Sequence, residues 1–423
     1  MKVNPIYQHG LEIHLHGAGP SDVPPEVLRA MSMATLGHLD SEFIRIMDET
    51  QAMLREVFQT ENRMTIPMSG TGSSGMETLV TNLVEPQDKV IVVRSGLFGE
   101  RFADEVSRFG GEVVPIDLEW GTTVTPDEVR EVFSKSSCQA LVLVHAETST
   151  GAHQQHMREI GEIVHQNDAL FLVDTVTSLG GTEVKTDEWG IDAVFSGTQK
   201  CLSVPPGLSP VTLNERAMEK LRKKKTRSWY FDLGMIEQYW NEGYQRKYHH
   251  TAPINMIYAL HEGLRLVLQE GLDARFQRHR RNAAALQAGL EALGFTYVVK
   301  KQNERLPMLH AVYLPNGVEE GKLRKEIRSN YNIEIGGGLG KFSGKAWRVG
   351  LMGHSSTKDK VGRLLNSIGD ELKKMALLIM QQLGFKLLRL FMIIKGLRVK
   401  AVSDPKLYFD LLGSGKKCLE QKF

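Results

Sequence analysis

The sequence predicts an α/β protein: a mostly parallel, doubly wound sheet, followed by a smaller α+β unit. Three observations carry that expectation. From about residue 65 to 215, β-rich runs alternate with amphipathic helical patterns. Several of these runs, such as "ALVLV" and "LFLV", are apolar throughout rather than alternating, the mark of strands covered on both faces. From about residue 253 the pattern turns helical, and shorter strand and helix signals follow.

The strand candidates, in order, are "KVIVVRSG", "EVVPID", "QALVLVHAETST", "ALFLVDTVTSLGG", "DAVFSGTQ" and "LSPVTLN". Helical patterns lie between them near 98–109, 125–135 and 155–167. Ahead of them, "SGTGSSGMETLVTNLVEP" reads as a glycine-rich turn opening a helix. There Ser74 and Glu77 form an S-x-x-E capping box, and Met76, Leu79, Val80 and Leu83 an apolar stripe. The pattern is helical from about 253 to 292. The strands "MLHAVYL" and "AWRVGLMG", with helices near 319–330 and 358–374, complete the smaller unit. The expected division is an N-terminal arm (1–20), a large domain (21–265), a small domain (266–374) and an atypical tail (375–423).

Composition narrows the function classes. The 423 residues are 41% hydrophobic and 24% charged, ordinary for a globular protein, and the net charge of +2 offers no field for nucleic acid. Cys138, Cys201 and Cys418 have no paired spacing, which suits a reducing compartment. The N-terminus lacks the apolar stretch of a secretory signal, and "QKF" is not a peroxisomal address. The expected location is the cytoplasm, with peroxisome and mitochondrion left open. The basic "LRKKKTR" at 221–227 reads as a solvated helix end. His14 with His16, His153 with His156, and His249 with His250 do not form a metal-binding spacing.

The chemistry is concentrated at two strand ends. Asp174 and Lys200 each follow a buried apolar run, 26 positions apart, and in such sheets ligands sit beyond the carboxyl ends of the strands. Thr148 falls on the same edge. A lysine amine can form a Schiff base with a cofactor aldehyde, and a carboxylate can keep a pyridine nitrogen protonated, so the pair points to pyridoxal 5'-phosphate (PLP). Free N–H groups of the glycine-rich turn, with the helix dipole, would hold the phosphate. Taken singly, each feature has a plainer reading: Asp174 as a turn residue, Lys200 as one of 52 basic residues, the turn as an ordinary capped helix. No Gly-Lys-Ser/Thr follows the turn, which excludes a nucleotide P-loop. No G-x-G-x-x-G follows a strand, which excludes a nicotinamide dehydrogenase.

Several motifs together resemble one family: "GAGPSDVPPEVL", "SGTGSSGME", "HAETSTG", "LVDTVTSLGG", "SGTQKCLSVPPG", "YHHTAP", "IEIGGGLG" and "WRVGLMGH". The chain resembles the class V, fold-type I PLP-dependent aminotransferases, most closely those of the alanine–glyoxylate (serine–pyruvate) type, as far as about residue 374. The resemblance implies that Lys200 is the Schiff-base lysine and proton shuttle, and that Asp174 partners the pyridine nitrogen. Thr71, Gly72 and Ser73 match the phosphate turn, and Gln199 a phosphate ligand. Phe98 matches the aromatic that stacks on the cofactor, where relatives often carry Trp. Thr148 and Val176 match positions beside and beneath the ring. Tyr248 and Thr251 match phosphate contacts from the second subunit, which implies a homodimer. Arg348 matches the arginine that grips the substrate carboxylate, a task suited to a planar, bidentate guanidinium.

The implied reaction moves an amino group from alanine or serine to glyoxylate or pyruvate, with ping-pong kinetics. Hydroxykynurenine, an aminophosphonate and ureidoglycine stay open as other donors. A cysteine desulfurase needs a nucleophilic cysteine on the loop before Arg348, and "IEIGGGLGKFSGKAWR" has none. A non-catalytic binding module fits poorly with an intact Lys200, Asp174 and Arg348. The tail stands apart. In "MALLIMQQLGFKLLRLFMII", apolar residues contribute about −4 to −9 kcal/mol to insertion, and Lys386 and Arg389 offset roughly 2.5–3.5 each. An amphipathic helix on a membrane surface, a partner or the dimer itself is expected there instead of a span. The remaining residues have no counterpart in the family.

Overall fold

Seven strands form the large sheet, and the order in which they lie explains where the site falls. A computed structural model of the chain describes residues 12–240 and 246–394. From one edge to the other the strands are Met64–Ser69, Leu208–Leu213, Ala193–Phe195, Leu170–Asp174, Ala140–Val144, Lys89–Arg94 and Glu112–Asp117. Leu208–Leu213 runs antiparallel to both of its neighbours, and the other pairs are parallel. Asp174 is in register with Val144 on one side and Phe195 on the other. Thr148, Asp174 and Lys200 therefore leave adjacent strands from one edge.

The central strands Ala140–Val144 and Leu170–Asp174 are buried at every residue. Helices cover both faces of such a sheet, so an unbroken apolar run is what solvent exclusion demands. The helix Gly72–Leu83 buries Met76, Leu79, Val80 and Leu83, the expected stripe. It lies so close to the sheet that a Cβ on Gly75 would run into Ser209 Oγ and come within 2.9 Å of Phe195 Cβ. Phe102, on the helix Leu97–Arg108, meets Phe195 edge to face at 5.9 Å.

A second sheet has five strands, in the order His14–His16, Ile333–Gly337, Ala346–Gly350, Leu309–Tyr313 and Thr296–Tyr297. His14–His16 runs parallel to Ile333–Gly337, and the remaining pairs are antiparallel. The long helices Ile254–Glu270 and Leu272–Ala292 precede all of its strands except His14–His16, and are separated at Gly271, whose φ of 82° takes the chain out of helix. The helical pattern over 253–292 is thus two consecutive helices. Cα packing groups residues up to Ser367 as one compact unit and those from Ile368 as another.

Two local expectations are corrected. The helix after the glycine-rich turn begins at Gly72 with Thr71 at its N-cap, so Ser74 is already helical and makes no capping box. A reciprocal box does form at Thr125 and Glu128. "LRKKKTR" is a helix end with Arg222, Lys223, Lys225 and Arg227 exposed, as expected, although Lys224 Nζ donates to the Val84 carbonyl at 3.1 Å and Thr226 is buried against Asn82. The helix expected over 358–374 continues to Ile394 and exposes Leu377, Leu378, Met380 and Leu383. Among the described residues no helix is long and apolar enough to cross a membrane. The rest of the tail, 395–423, lies outside the described residues, as does most of the N-terminal arm.

Candidate active site

The cavity at the sheet edge starts from the glycine-rich turn. Gly70 has a φ of 131°, and its N–H donates to the Gly207 carbonyl at 3.0 Å. A side chain there would be strained and would also strike Ser74. A Cβ on Gly72 would come within 3.2 Å of Val176 Cγ2 and 3.6 Å of Gly197 Cα, so three segments converge on this point. The first N–H groups of the helix lack intrahelical partners and present a positive end to the cavity. The Ser74 hydroxyl and the Gln199 carboxamide oxygen are buried beside it without a hydrogen-bond partner. Turning the carboxamide over presents its N–H₂ instead.

Phe98 enters from the first turn of the helix Leu97–Arg108, whose start is held by a buried acid. The Glu147 carboxylate accepts from Phe98 N at 3.2 Å, Gly99 N at 3.3 Å and Ser149 N at 3.0 Å. Leu97 N donates to Ser149 Oγ at 3.0 Å. Burial raises the Glu147 pKa, and these hydrogen bonds oppose the rise. A Cβ on Gly96 would collide with Glu147, which fixes glycine at that position.

Asp174 closes the deep end. It accepts from Val176 N at 2.7 Å, and burial pushes its pKa up to about 7. Thr148 and Thr177 hydroxyls meet at 2.5 Å nearby. Lys200 is also buried, with Nζ donating to the Ala18 carbonyl. Burial, and then the charge of Arg348, lower its pKa to about 8. The arm that covers it requires Gly19: φ there is 97°, and a Cβ would sit 2.6 Å from Lys200 Nζ. Arg348 Nε donates to the Gly337 carbonyl at 2.8 Å, and burial lowers its pKa.

Nine of the residues singled out in the sequence line one cavity: Thr71, Gly72, Ser73, Phe98, Thr148, Asp174, Val176, Gln199 and Lys200. Arg348 does not line it but is near enough to act on Lys200. Tyr248 and Thr251 are not brought to it. They pair with each other at 3.2 Å on an exposed segment, which His250 ties to Ser69 at 2.8 Å. Met76, Arg101 and Phe195 line the cavity, and Glu147 braces it, although the sequence reading singled out none of them for the site. Arg101 falls one turn after Phe98, a helical spacing that gave a signal only once Phe98 was assigned.

The family model "Aminotransferase class-V" matches residues 13–354. The (S)-ureidoglycine–glyoxylate transaminase of Bacillus subtilis is 41% identical over 363 residues, covering 81% of this chain and 86% of the relative. The alanine–glyoxylate aminotransferase of Drosophila melanogaster is 38% identical over 362 residues, covering 85% and 92%. The crystal structure of an alanine–glyoxylate aminotransferase from Nostoc sp. superposes with a TM-score of 0.83 at 43% identity, covering 88% of this chain and all of that one. A cysteine desulfurase from Thermococcus onnurineus shares the fold at a TM-score of 0.70 and 14% identity. The chain belongs to the class V aminotransferases, a family generally dependent on PLP.

Proposed function

We propose that this aminotransferase binds PLP at the cavity and moves the amino group of alanine, or of serine, to glyoxylate, with pyruvate as a second acceptor. The observation that carries the reading is the convergence of a buried amine, a buried carboxylate and a glycine-rich anion cradle at one sheet edge. The residues fit the cofactor. Gly70 and Gly72 clear space that side chains would fill, and Ser74 and Gln199 hold buried polar atoms in want of a partner.

Thr71, Gly72, Ser73 and Gln199 would hold the phosphate, Phe98 and Val176 the ring, and Thr148 and Asp174 its polar positions. Bound there, PLP supplies an aldehyde that accepts an amine and an electron sink that makes a Cα proton removable. Lys200 Nζ, its pKa already lowered, takes that proton and returns it. Arg348 grips the substrate carboxylate bidentately and fixes which Cα bond is presented. Tyr248 and Thr251 complete the phosphate site of a second subunit, which makes the enzyme a homodimer. Free, buried Cys138 and Cys201 support a reducing compartment, and we infer a cytoplasmic enzyme.

Glyoxylate is the acceptor named in relatives from two groups, whereas their donors differ. The bacterial relative gives (S)-ureidoglycine as the second reading for the donor. Both are tested by the visible absorption of the purified protein with PLP, before and after each donor. A band that bleaches with L-alanine and returns with glyoxylate supports the main reading. Bleaching with ureidoglycine alone moves the assignment to that donor. A folded protein that gains no band with PLP rejects the cofactor assignment.

A further inference from the structure

The cavity has one cationic side chain for which the proposed chemistry gives no role. Its lining holds two cations, Lys200 and Arg101, and Lys200 is taken up with the reacting end. Arg101 comes from the helix Leu97–Arg108. Its Nη1 donates to Ser73 Oγ at 3.2 Å, at the lip of the glycine-rich turn. Its guanidinium carbon lies 4.9 Å from the centroid of the Phe98 ring. Two contacts from separate elements therefore fix this guanidinium between the anion cradle and the stacking aromatic.

The charge balance shows what such a group is for. A phosphate monoester is close to a dianion at neutral pH. A helix N-terminus offers the equivalent of about half a charge. Thr71, Ser73, Ser74 and Gln199 add hydrogen bonds but no net charge. We propose that Arg101 is a cofactor-binding residue whose guanidinium pairs with the phosphate dianion of PLP and holds it against the turn at 71–73. The inference rests on the PLP reading above and adds to it the source of the missing positive charge. A planar fork suits a phosphate oxygen edge better than a point charge, and an Arg on a ring face retains that orientation.

The test compares PLP with pyridoxal, which has the same ring and aldehyde but no phosphate. Binding of each to cofactor-stripped wild type, R101Q and R101K is titrated by absorbance and by quenching of intrinsic fluorescence. The preference for PLP over pyridoxal within one variant is independent of how much of that variant is folded. Wild type is expected to prefer PLP strongly. R101Q should weaken PLP about ten- to a hundredfold, the scale of a charge-assisted hydrogen bond, and leave pyridoxal within about twofold. R101K should recover part of the preference, because it restores charge without the fork. An R101Q that keeps the wild-type preference overturns the proposal and leaves the cofactor reading standing. Equal weakening of both ligands also overturns it, since Arg101 would then act on the ring alone. A wild type that takes up neither ligand overturns the cofactor reading and this proposal together.

Discussion

Burial acts in opposite directions on Lys200 and Asp174. It pushes the amine down to about 8 and the carboxyl up to about 7, so both titrate near neutrality. Linkage makes this measurable without cofactor. The Asp174 pKa is raised above its ordinary 3.8, so its contribution to stability is full below about pH 4 and is lost as pH rises to about 7. D174N removes the titration. The cofactor-free variant is therefore expected to gain on wild type across that window, by up to about 4 kcal/mol at 1.36 per unit. Lys200, lowered from 10.5, has the opposite sign: its contribution is full above that value and lost as pH falls through about 8. K200M should gain on wild type as pH is lowered there. Urea midpoints measured against pH decide both, and a difference that stays flat with pH removes the burial argument. Arg348 calls for kinetics instead. R348K should lower kcat/KM for the amino donor about a hundredfold, mostly through KM, while PLP uptake stays unchanged. A loss confined to kcat would contradict its assignment to the carboxylate.

The helix Gly72–Leu83 shows how far an element can be read from its residues. Its apolar stripe was legible because period-3.6 burial leaves a pattern in sequence. Its start was not. The S-x-x-E at 74–77 has the form of a capping box, but the glycines ahead of it let the chain enter the helix earlier, with Thr71 at the cap. The strand His14–His16 was also missed, because its partner at 333–335 is remote in sequence and three residues give no period of their own. The apolar central strands were plain, and so was the edge they create. What local pattern could not supply was Glu147 and Arg101, charged residues whose work depends on which segment packs beside them. Packing of this helix yields a prediction with a telling sign. Gly to Ala inside a helix ordinarily stabilises by roughly 0.8–1.0 kcal/mol. At Gly75 the added methyl meets Ser209 and the Phe195 side chain, and overpacking costs about 1–3 kcal/mol. G75A should therefore be destabilising in thermal unfolding, and it should weaken PLP uptake by shifting the turn at 71–73. A stabilised G75A would show that the helix can move away from the sheet at no cost.

At the scale of the whole molecule, the question is where Tyr248 and Thr251 act. Within one chain they pair with each other on an exposed segment and do not line the cavity. Tethering of His250 to Ser69 nevertheless keeps the segment close to the strand that leads into the glycine-rich turn. An exposed tyrosine and threonine held beside the turn proposed to take the phosphate suit a site shared between two copies, each giving hydroxyls to the other. The first consequence is mass: the protein should behave as a particle of twice its 47.4 kDa in light scattering. The second is complementation. K200A lacks the amine, and a Y248F/T251A double variant lacks the donated hydroxyls, so each homodimer should be impaired at limiting PLP. In a mixed dimer the sites become unequal. One site combines the intact Lys200 of the second chain with the intact hydroxyls of the first, and is wild type. Co-expression with separate affinity tags isolates that dimer, which should recover about half of the wild-type activity and PLP uptake, one site of two. If the hydroxyls served their own chain's cavity, neither site of the mixed dimer would be whole. Activity would then be no more than about half that of the double-variant homodimer, and the shared site would be rejected.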